Sequence, residues 1–528
     1  MIRVSELKLP IEGNQKALEK KLAKALRIPV EEIKAYRIFK RSLDARKKDN
    51  IHYVYVVDVE VKNEKKILEK NKDKNISKTP DLDYKMLKGE TMPEKRPVVV
   101  GFGPAGMFAG LMLAEMGLKP IVLERGGDVE SRKAAVETFW NTGKLDTENN
   151  VQFGEGGAGT FSDGKLTTRI KDPRCRKVLE EMVDAGAPEE ILYDAKPHIG
   201  TDLLRGVVKN IREKINSLGG EVRFFAKVTG FEWNGDNISA VVLADGEKIE
   251  TDDVVLALGH SARDTFELLH AENFLLEQKP FAMGVRIEHP QKMVDAAQYG
   301  EAAHKLPAAD YRLTYTTQKG RGVYTFCMCP GGYVVAAASE EGKLAVNGMS
   351  EHARDGKNAN SALLVQVYPE DFGSEHPLAG MYFQRELEEK SFVAGGSDFT
   401  APVERVGSFL KTGAAEKVEV EGTYRPAKKE CSMDDIFPAF MTEALREALP
   451  AMGRKLKGFD RPDALLTAVE SRSSSPIRIV RDEKGMSLLY RGVYPAGEGA
   501  GYAGGIVSAA VDGILVAERI AEKYGWTK

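Results

Sequence analysis

The sequence is poor in cysteine, in tryptophan and in long apolar runs, and the shortages exclude whole classes of protein. Four cysteines in 528 residues make no disulfide framework, so a reducing cytoplasm is the expected compartment. No apolar run approaches the ~18 residues of a membrane helix, so no membrane partner is expected. The opening MIRVSELKLP holds no apolar stretch of a secretory signal. A large net charge is also missing overall, at −3, but the parts differ. Residues 1–96 hold 25 Lys and Arg against 16 Asp and Glu, a charge of +9; the remainder holds 51 against 63, a charge of −12. That division implies a basic amino-terminal module on an acidic body. With 42% apolar and 29% charged residues, the composition is that of a globular protein able to bury a large core. At ~100–200 residues per domain, two to four domains are expected.

Glycine is abundant, and its placement carries most of the functional argument. Val98-Val99-Val100 reads as a short buried strand and runs directly into Gly101-Phe102-Gly103-Pro104-Ala105-Gly106. Met107 to Met116 reads as an apolar helix closed by Gly117, and Pro120 to Leu123 as a second strand ending on Glu124. Gly101 permits the tight turn, Gly103 lets backbone approach a pyrophosphate, and Gly106 lets helix and strand pack closely. The helix N-terminus offers N–H groups and partial positive charge to phosphates. Glu124, 18 residues after Gly106, stands where an acid is needed for an adenosine ribose hydroxyl. The same glycine spacing recurs at Gly154/Gly156/Gly159, after a polar stretch, and at Gly499/Gly501/Gly504, with no acid-ended strand beyond. The first copy alone sits in a strand–turn–helix–strand frame, so the dinucleotide site is expected there.

Before that frame, residues 2–9, 33–42 and 52–61 read as strands and 14–27 as a helix with Asn14 as N-cap. This β-α-β-β order over 1–62 suggests a small α+β module, half of a ferredoxin-like fold, followed by a charged linker over 63–96. The basic loop Arg41 to Lys48 is either a solvated hairpin or a nucleic-acid contact. No aromatic residues are interleaved with its charges, which disfavours nucleic acid. After Glu124, helices are expected over 129–140, 172–185 and 201–218, strands over 221–228 and 253–260, and a later strand over 487–495. The loop from Phe153 to Leu166, with five glycines including Gly157 and with Ser162 and Lys165, suits close approach to a large flat ligand; a surface Ω-loop is the alternative.

Taken together, the first glycine turn, Glu124, the Val254–Gly259 strand and the carboxy-terminal glycine turn and helix resemble a two-domain FAD-dependent oxidoreductase of the glutathione-reductase-type Rossmann superfamily. Within it, GEGGAGTFSDGKL and GEGAGYAGGI are similar to segments of the bacterial flavoproteins described as uncharacterised FAD-dependent (NAD/FAD-utilising) dehydrogenases. The resemblance implies an α/β fold. A Rossmann-like FAD-binding domain over 97–274 and 466–528 would be interrupted by an inserted α+β substrate domain over 275–465. It implies that Gly101, Gly103, Pro104, Ala105 and Gly106 hold the diphosphate and Glu124 the ribose, with Arg125 and Arg132 flanking the adenosine or diphosphate. Val228 would meet adenine through its backbone, and Gly259 would end the cofactor strand. Gly497-Glu498 stands where Gly-Asp is usual at the ribityl chain, and Gly504, Gly505 and Ile506 would open a helix toward the flavin pyrimidine edge.

FAD chemistry needs a protein that binds, orients and excludes water. No second glycine motif lies in a strand–helix–strand frame, so NAD(P)H, if it is the reductant, would approach transiently. The expected function is hydride transfer between flavin N5 and a small-molecule substrate bound between the domains. The alternative is an RNA-associated flavoprotein, for example in tRNA modification, that uses the basic module. Candidate catalytic residues are Cys327 and Cys329, as a redox pair or a thiolate near flavin, against the plainer reading of small buried hydrophobes. A third is Arg472, expected to bind an acidic group with Glu470 orienting it, or to form an interdomain ion pair. His260 is expected to cap the core strand. No metal site is expected, since no Cys or His pair accompanies Cys-x-Cys.

Overall fold

Three consecutive β-branched residues, all buried, make Val98–Val100 the middle strand of a five-stranded sheet. The order is Val493–Pro495, Val254–Leu256, Val98–Val100, Ile121–Leu123, Glu221–Arg223, and every pairing is parallel. A parallel sheet covered on both faces needs runs of apolar residues rather than alternation, and VVV, VVL and IVL supply them. Helix Pro104–Glu115 covers one face and is buried from Ala105 to Ala114. Against it lies the last helix, Ile506–Lys523. A Cβ on Gly513 would stand 2.1 Å from the Ala105 carbonyl oxygen, so glycine is what lets the two helices cross. The computed structural model describes residues 1–528 as a mixed α/β protein with several sheets.

Between the fourth and fifth members of the parallel sheet in chain order stands a seven-stranded sheet. Its order is Thr314–Thr316, Gly322–Cys329, Asn358–Val367, Phe281–Pro290, Leu465–Glu470, Ala401–Arg405, Lys428–Glu430, and only the last pairing is parallel. The central ten-residue strands pair from Phe281↔Val367 to Pro290↔Asn358, and helix Ala439–Lys455 packs its Met441, Leu445 and Leu449 into the same core. This sheet continues to Glu470, past the boundary expected at 465.

The amino-terminal module is larger than half a ferredoxin-like fold. Strands Ile2–Pro10, Ile33–Asp44 and His52–Val61 and helix Gln15–Leu26, capped by Asn14, are followed by helix Glu64–Lys70 and strand Ile76–Lys78. The last strand pairs with the first and completes the β-α-β-β-α-β order, with sheet order second, third, first, fourth. The linker expected from residue 63 therefore begins after Lys78. Charge hid the closing elements: the helix buries Ile67 alone, and the strand is three residues long. The remaining segment is pinned to the body by Leu87 in its core, the Tyr84 hydroxyl donating to Glu518 at 2.7 Å, and backbone bonds between Lys88 and Thr527.

The basic hairpin is docked rather than free. Arg41 donates its backbone N–H to Tyr193 and its guanidinium to both oxygens of Asp194 at 2.7 and 2.9 Å, and Ile51 is buried in the core of the seven-stranded region. Three expected strands are shorter, and of 253–260 Val254–Leu256 alone is strand. Residues 221–228 break after Arg223, where Phe225 takes φ +54°, and Val228 opens a separate antiparallel strand. Of 487–495, Val493–Pro495 alone is strand. No helix is long and apolar enough to cross a membrane.

Candidate functional site

One cavity of about 800 Å³ runs from the glycine turn of the parallel sheet to the seven-stranded sheet, within the roughly 300–1,000 Å³ of small-molecule sites. Two helix N-termini open onto it. In the first, Ala105 and Gly106 have no acceptor for their N–H within the chain, and Pro104 has no N–H to satisfy. In the second, Gly504, Gly505 and Ile506 line the wall at the start of the last helix. Two aligned peptide dipoles thus present positive ends to one space, an arrangement that favours an anionic or electron-rich ligand.

The glycines act as their spacing predicts in steric terms. A Cβ on Gly106 would lie 1.9 Å from the Gly101 carbonyl oxygen, so Gly106 serves helix–strand packing and is absent from the cavity wall. Gly101, at φ +98°, makes the tight turn. Gly157, at φ +62°, crosses the turn so closely that a Cβ would stand 2.9 Å from Gly103 Cα. The glycine-rich loop therefore lies over the first turn as a second wall, and it is not a detached Ω-loop. Gly101, Gly103, Pro104, Ala105, Gly157, Ser162, Lys165, Val228, Gly259 and Glu498 all line the cavity. Gly497 does not: it backs the first helix, where a Cβ would be 2.6 Å from that of Ala105.

The charged residues at this end depart from expectation. Glu124 is 5% exposed, and its carboxylate accepts from three backbone N–H groups, those of Phe102, Gly126 and Gly154, each at 2.9 Å. It ties together both strand ends and the glycine-rich loop. Of the roughly four lone-pair sites on a carboxylate, one is left, on Oε2. Arg132 is a correction: it lies wholly buried behind the wall. Its guanidinium donates to the carbonyls of Asn150, Val151 and Glu155 at 2.8, 2.7 and 2.7 Å, so it shapes the loop rather than flanking a ligand. Burial pulls it down to about 10, still cationic at neutral pH. Arg125 reaches the cavity wall but is held by Asp264 through two 2.8 Å bonds and by Glu148, above the ring of Phe153.

At the opposite end stand Cys327, Glu470, Arg472, His260 and Glu498. The expected Glu470–Arg472 pair does not form. Arg472 instead binds Glu388 through two 3.0 Å bonds, and Arg263 grips the same carboxylate at 2.7 and 2.8 Å. The two guanidinium groups hold the buried Glu388 well below the usual carboxylate range despite its desolvation. Arg472 is thus part of a buried ion triad joining the two sheet regions, the ion-pair alternative. Glu470 pairs with Arg286, a fully buried cation that also donates to Asn360 Oδ1 at 2.7 Å and the Cys327 carbonyl at 2.6 Å. Burial raises Glu470 and Glu498 to about 7 each. His260 is pulled down to about 3 by burial and by the charges of Arg472 and Arg263, so it is neutral; its Nδ1 meets Ser261 Oγ at 2.9 Å. Cys327 faces the cavity, whereas Cys329 is buried behind it, its thiol 3.2 Å from the Cys327 carbonyl. Arg286 and Glu388 were not singled out from sequence. For Arg286 the available signal was a charged residue after the apolar run Phe281–Val285; Glu388, among Arg385, Glu386, Glu389 and Lys390, gave none.

The residues present fit a dinucleotide: glycines that only a missing Cβ permits, unpaired first-turn N–H groups, and one free carboxylate lone pair. Comparison with known proteins agrees about the cofactor. Residues 280–473 match the family model of FAD-dependent protein, C-terminal domain-like, and residues 1–60 match a domain of unknown function. A Clostridium beijerinckii protein described as uncharacterized is 52% identical over 532 residues, covering the whole of both chains. Among solved structures, a triple mutant of the flavin-dependent brominase Bmp2 is 14% identical, with TM-score 0.38, over 81% of this chain and 80% of that one. CtdE in complex with FAD is 13% identical, with TM-score 0.31, over 82% and 84%. Likenesses this distant carry no argument; the agreement about the cofactor rests on the domain matched over residues 280–473.

Proposed function

The chain belongs to one family with the Clostridium beijerinckii protein and carries the FAD-dependent protein domain, and from that premise we propose an FAD-dependent oxidoreductase that moves a hydride between flavin N5 and a small-molecule substrate. Bound FAD supplies the two-electron chemistry; the chain's own residues bind, orient and exclude water. In this reading the first-turn N–H group of Ala105 takes the diphosphate, pressed from the other side by Gly157, while Gly106 lets the helix pack on the strand. The free Oε2 lone pair of Glu124 meets the ribose, and the Val228 backbone meets adenine. Gly259, Glu498, Gly504, Gly505 and Ile506 surround the ring end, where the last helix favours negative charge. Ser162 and Lys165, on the glycine-rich loop with Gly157, contact the cofactor from the same cavity wall. The observation that carries this reading is the convergence of two helix N-termini on one cavity crossed by Gly157, where a Cβ would stand 2.9 Å from Gly103 Cα.

If NAD(P)H is the reductant it approaches transiently, since the one all-parallel sheet of more than two strands is the one with the glycine turn. The RNA-associated alternative draws on the +9 charge of residues 1–96. It is the weaker, because Arg41 and Arg46 are already paired with Asp194 and Asp44. Purified protein is expected to be yellow, to release FAD on denaturation, and to bleach anaerobically with NADH or NADPH. A colourless protein that takes up no FAD ends the proposal. Salt-sensitive retention of the full chain on RNA would favour the alternative.

A further inference from the structure

Two features of the cavity wall at the seven-stranded sheet serve none of the roles above. The strand Gly322–Cys329 loses its register between Phe326 and Cys329, and at this bulge Cys327 takes φ +43°, a left-handed conformation rare for a side-chain-bearing residue. Bulges re-aim side chains, and backbone strain gathers where function requires a fixed direction; here the re-aimed residue lines the cavity. The second feature is Glu470, which is 4% exposed and lines the same cavity. Its Oε1 bonds Arg286 at 3.1 Å, while its buried Oε2 has no partner. A buried, unpartnered carboxyl oxygen is costly unless it carries a proton or meets a ligand.

We propose that Cys327 and Glu470 form a nucleophile–acid dyad that adds the Cys327 thiolate to activated alkenes, α,β-unsaturated carbonyl compounds, with the Glu470 Oε2 proton completing the addition. The step balances within the dyad. Sγ forms a bond to the β-carbon, the C=C pair shifts toward the carbonyl, and Oε2–H gives its proton to the α-carbon. Glu470 then regains a proton from water. Arg286 and Cys329 are positioning residues: Arg286 reaches the Cys327 carbonyl, the Cys329 sulfur at 3.3 Å and Glu470 together. The neighbouring Cys329 thiol lowers Cys327, with Arg286 and Lys165 acting in the same direction, while burial holds Glu470 protonated into the neutral range. An acid on the same cavity wall as the thiolate selects this substrate class, because an alkyl halide or a disulfide releases a stable anion unaided, whereas a developing enolate needs a proton.

The inference stands on the cavity wall and not on the flavin, so one set of samples separates the two. The full-length protein as purified is treated with iodoacetamide, which needs no proton, and with acrylamide, which does; labelling at each cysteine is followed by mass spectrometry and flavin by absorbance. Cys175 and Cys431, both raised by burial, are the internal references. Cys327 is expected to react at least ~10-fold faster than either at pH 6.5, with a midpoint below the ~8.5 of an ordinary thiol. Cys329→Ala should raise that midpoint. Glu470→Gln should lower the acrylamide-to-iodoacetamide rate ratio at least ~10-fold, within the range of general-acid contributions. Cys327 reacting no faster than Cys431, or a ratio untouched by Glu470→Gln, overturns the dyad. A yellow protein with an inert Cys327 sinks the dyad alone; a colourless one with a fast Cys327 sinks the flavin reading alone.

Discussion

Glu124 and Glu470 line opposite ends of one cavity, and both are buried, yet the chain treats them in opposite ways. Glu124 accepts three backbone N–H groups and is nearly saturated. Glu470 shares one oxygen with a guanidinium and leaves the other bare. The first end has spent its polar capacity on holding backbone in place, which suits a region that binds a constant cofactor. The second keeps capacity in reserve, which suits a region that exchanges protons with a changing substrate. A buried carboxylate is therefore informative through what it lacks as much as through what it touches.

If the glycine-turn end is architecture, damage there should be the most severe. Gly106→Val places carbon against the Gly101 carbonyl, a rigid neighbour; more than ~3 kcal/mol of stability and all bound FAD should be lost, read by thermal melting and flavin release. Cys327→Ala, at the other end, should leave flavin content intact, and equal loss in both variants would erase the contrast. Glu388→Gln removes the carboxylate shared by two buried guanidinium groups, of which Arg263 keeps Glu340 at 2.6 Å, and should cost ~3 kcal/mol in urea denaturation. Glu124→Gln turns an acceptor toward backbone donors as an NH2 group; ~1–3 kcal/mol should be lost and FAD bound more weakly, by titration of the apoprotein. For Glu470 the sign runs the other way from a salt-bridged acid. Its folded value, about 7, lies above the ordinary 4.5, so the protonated form is the one that folding favours. Wild-type stability relative to Glu470→Gln should therefore fall as pH rises from about 4.5 to about 7, and a flat difference would show that the carboxyl titrates normally. The smallest effect is expected at Arg46→Ala, far from both ends, with melting temperature and flavin content unchanged.

Local chemistry was legible where residue type alone limits the backbone. The Val98–Gly106 frame could be read because few sequences other than β-branched runs and glycines satisfy a buried strand and a tight turn. Asn14 could be read as a cap because its side chain bonds a backbone group three residues away, at Ala17. The closing helix and strand of the first module were not legible: Glu64–Lys70 buries a single residue and is fixed by the sheet it covers. Arg132 shows the same limit at the site. The family resemblance implies a ligand contact for it, but the loop that wraps it comes from residues 150–155, and no local pattern announces that fold-back.

What the sequence determined by itself is the glycine turn and the strand and helix that flank it. These follow from sterics within a few residues. The tertiary structure alone decided how the polar side chains were divided: Arg472 to Glu388, Arg286 to Glu470, Glu124 to three amides. Pairing of buried charges depends on which distant strands share a dry interior, where every donor must find an acceptor, and that is settled only when the whole chain has closed around them.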